Sequence, residues 1–434
     1  MLNALHYIPK YQGSDPLSNA FTKKLIITKD TNLNDLLQDP SIIQIYKTNC
    51  QILNNFLIHH VDELFILAFK DDNSVAAISA FKILSIPNYY LISALASKPQ
   101  FSNYVSNLFK QNKVSDRLAS RVCVITQTIF SFGDINACKI CTYITNLLDY
   151  CYNSSVYSFF SSIFYPFDET ERIQNWLIEN GIIESIEHKI KSITVLSKIE
   201  DFSKESETLI NLFRILSISF KNLSNSIEKS TLCTLFDKIP VNLPKIIYNF
   251  LWETLNALFS KNNALKLCKF SNEARDNLIA PTNHIYRFHS ESVSFLAKYV
   301  TIRSDLIDNE LIKSVLGLFL QFSHCSFFQI EAERFFIEAC KVDILLCRIV
   351  KYVAPVLIIE SSISGHNLVP YFSLSILENL VKIPAAKEIM LNLENGKEFL
   401  EKTLPEYIKK RDSGYGGSSS NSIWSLIFSP LSIF

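Results

Sequence analysis

The chain has 434 residues, more than one compact core usually holds, and its 42 basic and 42 acidic residues leave no formal net charge. That balance excludes the broad basic field by which a protein gathers a polyanion, so no nucleic-acid partner is expected. With 9 Gly, 14 Pro and 48% hydrophobic residues, and with weak strand signals throughout, the composition predicts an all-α chain: either several domains or, as the better fit, one elongated repeat-like body.

The opening MLNALHYIPKYQG has no long apolar core after a basic start, which argues against a secretory signal, and residues 1–30 read as an N-terminal arm. A short helix carrying Leu36 precedes Asp39 and Pro40, a strong helix start because Asp caps free N–H groups and Pro has none to leave unpaired. Ile42, Ile45, Tyr46, Asn49, Ile52, Leu53, Phe56 and Leu57 then recur at helical spacing, which predicts one helix with Asn49 as a buried amide in its apolar stripe. His59 and His60 end that helix, where cations complement the last carbonyls. Lys70 to Ser74 is the first break, and apolar helical material follows from Tyr104 to Phe130.

The longest uncharged stretch, Tyr150 to Phe167, contains Asn153 and a series of serines, too polar for a membrane span, and reads as a helix or helix pair of a core. Asp168 and Glu171 form a capping-box pattern before a helix bearing Trp176, with Gly181 as its stop. Further helices are predicted over Lys204–Leu223, Leu243–Ser260, Ser290–Ile302, Asn309–Phe322, Ile330–Cys340, Asp343–Glu360 and Leu368–Lys382, with longer loops at Lys261–Ala264 and Asn277–Asn283. Each helix has an apolar stripe that it cannot bury alone. Stacked antiparallel pairs would bury these stripes continuously, which predicts an α-solenoid of degenerate armadillo/HEAT-like repeats over residues 31–411.

Lys409, Lys410 and Arg411 read as a cationic last turn. Asp412 to Asn421, with Gly414, Gly416, Gly417 and a Ser run, reads as a flexible linker over 412–421. The apolar tail at 422–434 is below spanning length and either folds back as a cap or docks on a partner.

Catalytic and ligand motifs are sparse. Cys138 and Cys141 form a C-x-x-C near Cys151, but a structural zinc site needs about four convergent ligands, and buried free thiols fit the apolar pattern. Ten Cys without a signal peptide predict reduced thiols in the cytosol or nucleus. His284 and His289 flank Arg287 at a helix start without an accompanying carboxylate cluster. Neither G-x-S-x-G nor a phosphate-cradling Gly motif occurs, and Gly414-Tyr-Gly416-Gly417 follows no strand. The expectation is a non-enzyme without catalytic residues, cofactor or metal.

The order of segments resembles the SAPS domain, the hallmark of regulatory subunits of type 6, type 2A-like serine/threonine phosphatases. The Leu-x-x-Leu-Leu helix and the Asn-x-x-Leu-x-x-Phe-Leu pattern lie between Thr31 and Leu57. RIQNWLIENGIIESI follows at Arg172 to Ile186, then the segments Tyr299–Cys340 and Ile363–Val381, and finally GKEFLEKTLPEYIKKRDSGYGG at Gly396 to Gly417. Leu36, Asn49, Leu53, Phe56, Leu57 and Trp176 carry the structural signature. The chain departs from the family in having Phe399 for a Trp of the closing helix, Ser323-His324-Cys325 for a Trp-Asn pair, and no long acidic tail.

The resemblance implies a regulatory or scaffold subunit that binds a phosphatase catalytic subunit, and further adaptor proteins, in the cytoplasm or also the nucleus. The metal-binding signatures of the catalytic subunit itself are missing. Candidate partner-binding residues are Arg303, which bridges to a neighbouring helix or reaches a partner, and Gly365 and His366, in a turn that caps a helix or helps shape a shared surface. Two other readings stand beside this one: a generic α-solenoid adaptor in transport or translation, and an enzyme whose site is assembled from scattered residues.

Overall fold

The computed structural model describes residues 31–111, 114–131, 139, 141–165, 171–195, 199–222, 243–260, 263–362 and 368–412. These residues form helices joined by turns, with no strand among them. No single described helix is long and apolar enough to cross a membrane, and the one apolar pair that qualifies jointly, Val75–Leu84 with Tyr89–Ala96, is bent by 99°. The chain divides into two compact units, Met1–Leu258 and Phe259–Phe434.

The first unit opens with α1 (Leu33–Leu37), capped by the Asn32 side chain, which accepts from Asn34 N at 2.8 Å. The expected single helix from Asp39 to Leu57 is two helices, α2 (Ile42–Lys47) and α3 (Gln51–His59). The break is Asn49, at φ 57, a left-handed conformation that Asn tolerates better than other side-chain-bearing residues. Asn49 is therefore exposed rather than buried, and Ile52, expected in the stripe, is 62% exposed because the break rotates α3 relative to α2. The buried amide is Asn54, whose Nδ2 donates to Asn49 Oδ1 at 2.7 Å.

Next come α4 (Val61–Ala68), α5 (Val75–Leu84), α6 (Tyr89–Ala96), α7 (Pro99–Lys110) and α8 (Asp116–Phe130). A 3-10 turn (Ile144–Tyr150) leads into the uncharged stretch, whose described part carries a single helix, α9 (Ser154–Phe164). The unit continues with α10 (Glu171–Glu179), α11 (Ile182–Thr194), α12 (Lys204–Asn222) and α13 (Lys245–Leu258). Gly181, at φ 74, separates α10 from α11 as expected of a helix stop. Asp168 lies outside the described residues.

Four of these helices, α5, α8, α9 and α12, pack in sequence as a row. At one end, Arg117 of α8 pairs with Asp71 before α5 at 2.6 Å, and Asn153 before α9 donates to the Asp116 carbonyl of α8 at 3.0 Å. There too Asn211 of α12 donates to the Cys151 carbonyl at 2.7 Å. At the other end, Thr128 of α8 donates to the Ser85 carbonyl after α5 at 3.4 Å, and Asn222 of α12 donates to the Phe164 carbonyl of α9 at 3.0 Å. N-terminus meets N-terminus and C-terminus meets C-terminus, so the four helices point the same way.

The second unit contains α14 (Ala264–Leu267), α15 (Lys269–Ile279), α16 (Arg287–Tyr299), a 3-10 turn (Ser304–Leu306), α17 (Asn309–Gln321) and α18 (Ser326–Ala339). It continues through α19 (Asp343–Tyr352), α20 (Ala354–Ser361), α21 (Val369–Val381), α22 (Pro384–Leu391) and α23 (Gly396–Glu398), then a π turn (Phe399–Thr403) and α24 (Leu404–Asp412). Two rows emerge: α15, α17, α19 and α22 pack in order, as do α16, α18, α21 and α24, with cross-packing between the rows. Neighbours α18 and α21 point the same way, since Leu368 N donates to the Ser323 carbonyl at 3.2 Å and, further along both helices, Ser375 of α21 bonds to Glu333 of α18. Each unit thus has the layered, solenoid-like stacking that amphipathic helices need to bury their stripes.

Buried polar side chains satisfy the helix ends that this stacking covers. Gln174 Nε2 donates to the Ile163 and Tyr165 carbonyls at 2.7 and 2.9 Å, closing α9. Gln329 Nε2 does the same for α17 through the Phe319 and Phe322 carbonyls, the longer contact being 3.2 Å. Arg121, 6% exposed, reaches the Ala68 and Lys70 carbonyls at 3.1 and 2.8 Å beyond α4. Each bond occupies a carbonyl that the helix leaves without an internal partner.

Several boundaries differ from expectation. The helix expected over Asp343–Glu360 breaks at Val353, because Pro355 in the first turn of α20 has no N–H to continue α19. Ala264 begins a short helix instead of ending a loop, and Asn277 lies within α15, so that loop starts at Ala280. The closing helix is interrupted by the π turn.

Candidate partner-binding site

Arg303 follows α16, where its backbone N donates to the Tyr299 carbonyl at 2.8 Å and its residue caps the next 3-10 turn. Its guanidinium grips Asp305 with both arms, Nε to Oδ1 at 2.9 Å and Nη2 to Oδ2 at 2.8 Å, the planar fork geometry that suits a carboxylate. Asp305, and to a smaller extent the Cys268 thiol between α14 and α15, raise the pKa of Arg303, while Arg303 holds the Asp305 carboxyl below the usual range. The side chain is 36% exposed, so Arg303 is a locally braced cation at the surface that also meets the neighbouring α14–α15 junction. Gly365 and His366 lie outside the described residues.

The signature residues are mostly core. Leu36, Leu53, Leu57 and Trp176 are buried, and Trp176 meets Phe130 edge to face at 6.3 Å. Phe56 is half-buried and packs on the His60 ring at 4.4 Å, and His59 Nδ1 lies 2.7 Å from the Asn55 carbonyl.

The other candidates resolve into supporting roles. Cys141 is buried, with the Tyr143 hydroxyl donating to its sulfur at 3.5 Å, and burial pushes the Cys151 thiol pKa far up; Cys138 lies outside the described residues. His289 is buried and its Nδ1 accepts from Tyr286 N at 2.9 Å, fixing the start of α16, whereas His284 is exposed. No group of three His, Cys, Asp or Glu side chains that could hold a metal occurs among the described residues. A shallow cleft of 330 Å³ between the first 3-10 turn and α11 contains Asp149, Glu184 and His188, but Lys189 closes on Asp149 at 2.5 Å.

Two surface features carried no sequence signal. Tyr152 donates to Asp116 at 2.5 Å while Lys204 sits 4.4 Å over the Tyr152 ring, a cluster joining the starts of α8, α9 and α12. Phe202 is 81% exposed at φ 61, an unusual backbone state for a bulky residue. Only long-range packing brings the first together, and no local pattern marks the second. Across the known proteins, no family profile, no curated sequence and no solved structure matches this chain.

Proposed function

We propose that the chain is a non-catalytic regulatory or scaffold subunit of the SAPS type, built of degenerate armadillo/HEAT-like helix pairs, that binds a type 6-like serine/threonine phosphatase catalytic subunit and directs it to substrates. The observation that carries this reading is the order of the resembling segments from Thr31 to Gly417. It is supported by the layered helix rows of each unit, an architecture suited to offering an extended surface to another protein. In this reading the partner supplies the metal-dependent hydrolysis, and Arg303, with Gly365 and His366, contributes to the contact.

Affinity purification of the full chain from cells that express both proteins tests it. A phosphatase catalytic subunit recovered in stoichiometric amount is the expected result, and its absence would sink the proposal in favour of a helical adaptor of another pathway. Arg303→Glu separates contact from support: a variant that keeps the wild-type melting temperature but releases the phosphatase places Arg303 in the interface.

A further inference from the structure

The last described helix is held differently from the earlier helices of its row, α16, α18 and α21. In α24 only Leu404 is buried, whereas α21, on which it packs, buries Val369, Phe372, Ser373, Ile376, Leu377 and Leu380. Among the described residues α24 meets α21 through a polar and aromatic stripe. Tyr407 and Arg411, one turn apart, face Tyr371 and Glu378, with the two tyrosine rings 6.2 Å apart and Arg411 bonded to Glu378. Glu378, whose side chain is 13% exposed, also takes Lys382 at 3.3 Å, and Arg411 takes Asp412 at 3.0 Å. On the other side of α24 in sequence lies the π turn Phe399–Thr403, with Phe399 anchored in the core at 2% exposure. A π turn interrupts the i to i−4 ladder and so is a place where a helix can bend.

We propose that α24 is a detachable end helix, which swings away from α21 as a unit about the π turn when the Arg411–Glu378 pair opens, uncovering the Tyr371 and Glu378 face at the end of its row. A helix with one buried apolar residue has little hydrophobic energy to hold it, so a partly buried, charge-assisted pair decides whether it docks. The anchored Phe399 confines the motion to the segment beyond it.

Hydrogen–deuterium exchange on the full chain tests this, comparing wild type with Arg411→Gln, Glu378→Gln and the double variant. Off its support a nine-residue helix cannot hold its own turns, so the amides of residues 408–412 should exchange roughly five- to tenfold faster in each single variant, with no further gain in the double, while α18 and α21 keep their protection. Wild type in about 1 M salt should move in the same direction, because screening weakens the pair. Unchanged rates in both single variants would overturn the proposal. So would faster exchange spreading equally through α18 and α21, which would make α24 part of the cooperative core.

Discussion

Asn54 donates its side-chain N–H to Asn49 across 2.7 Å, so a buried donor of α3 is met by the exposed residue that breaks the chain into α2 and α3. The two positions respond differently to substitution. Asn49→Ala removes the acceptor from Asn54 and places Ala at φ 57, and should cost about 1 to 3 kcal/mol. Asn49→Gly keeps the backbone relaxed and should cost less, so the gap between the two variants in thermal melts measures the left-handed strain.

Gly396 packs so closely on the preceding turn that a Cβ built there would fall 1.8 Å from the Met390 carbonyl oxygen. Gly396→Ala must therefore displace backbone. It should lower the unfolding free energy by roughly 2 kcal/mol or more in denaturant titrations, whereas Gly317→Ala, where a Cβ meets nothing within 4 Å, should be neutral or stabilising.

Gln174→Leu and Gln329→Leu each strip the partner from two covered carbonyls. Each change should cost roughly 2 to 3 kcal/mol. Because the residues belong to separate units, the double variant should show two independent losses when each unit is followed by its own probe. A double variant no less stable than either single one would contradict this.

Glu333 is buried enough that desolvation raises its carboxyl above the ordinary range, while the Ser375 hydroxyl that donates to it pulls the other way. The folded state thus binds this proton more readily than the unfolded chain. Its contribution is fully present below the ordinary carboxylate pKa of about 4.3 and is lost as pH rises through the raised folded value. Glu333→Gln, which keeps an acceptor for Ser375 and cannot ionise, should melt higher than wild type at pH 7, and the difference should vanish in acid. Equal melting temperatures at both pH values would show that burial of this charge costs nothing.

The elements were legible in the sequence wherever one signal acted alone. The apolar spacing predicts a helix over Lys204–Leu223 and α12 spans Lys204–Asn222, and Gly181 stops α10 because glycine alone enters the left-handed region freely. Apolar spacing runs on across the backbone break at Asn49, since periodicity records which residues could share a face and not whether the chain turns between them. The Pro355 break escaped for the same reason. The clusters that knit each row, such as Asp116 with Tyr152 and Lys204, left no trace in the sequence because their members are far apart along it. Arg303 was recognisable as a position of interest, but its engagement by Asp305 depends on the turn that brings two residues of one loop face to face.

In the second unit each layer of helices rests on the layers before and after it, and this gives the unit ends but no centre. A structure of that kind need not lose its order all at once: its terminal layers can melt while interior ones stay intact, so its unfolding should broaden in proportion to how unevenly the layers are glued. The same arrangement lets a lineage lengthen or shorten the protein by whole helix pairs, because a new layer has to fit only the two faces it touches.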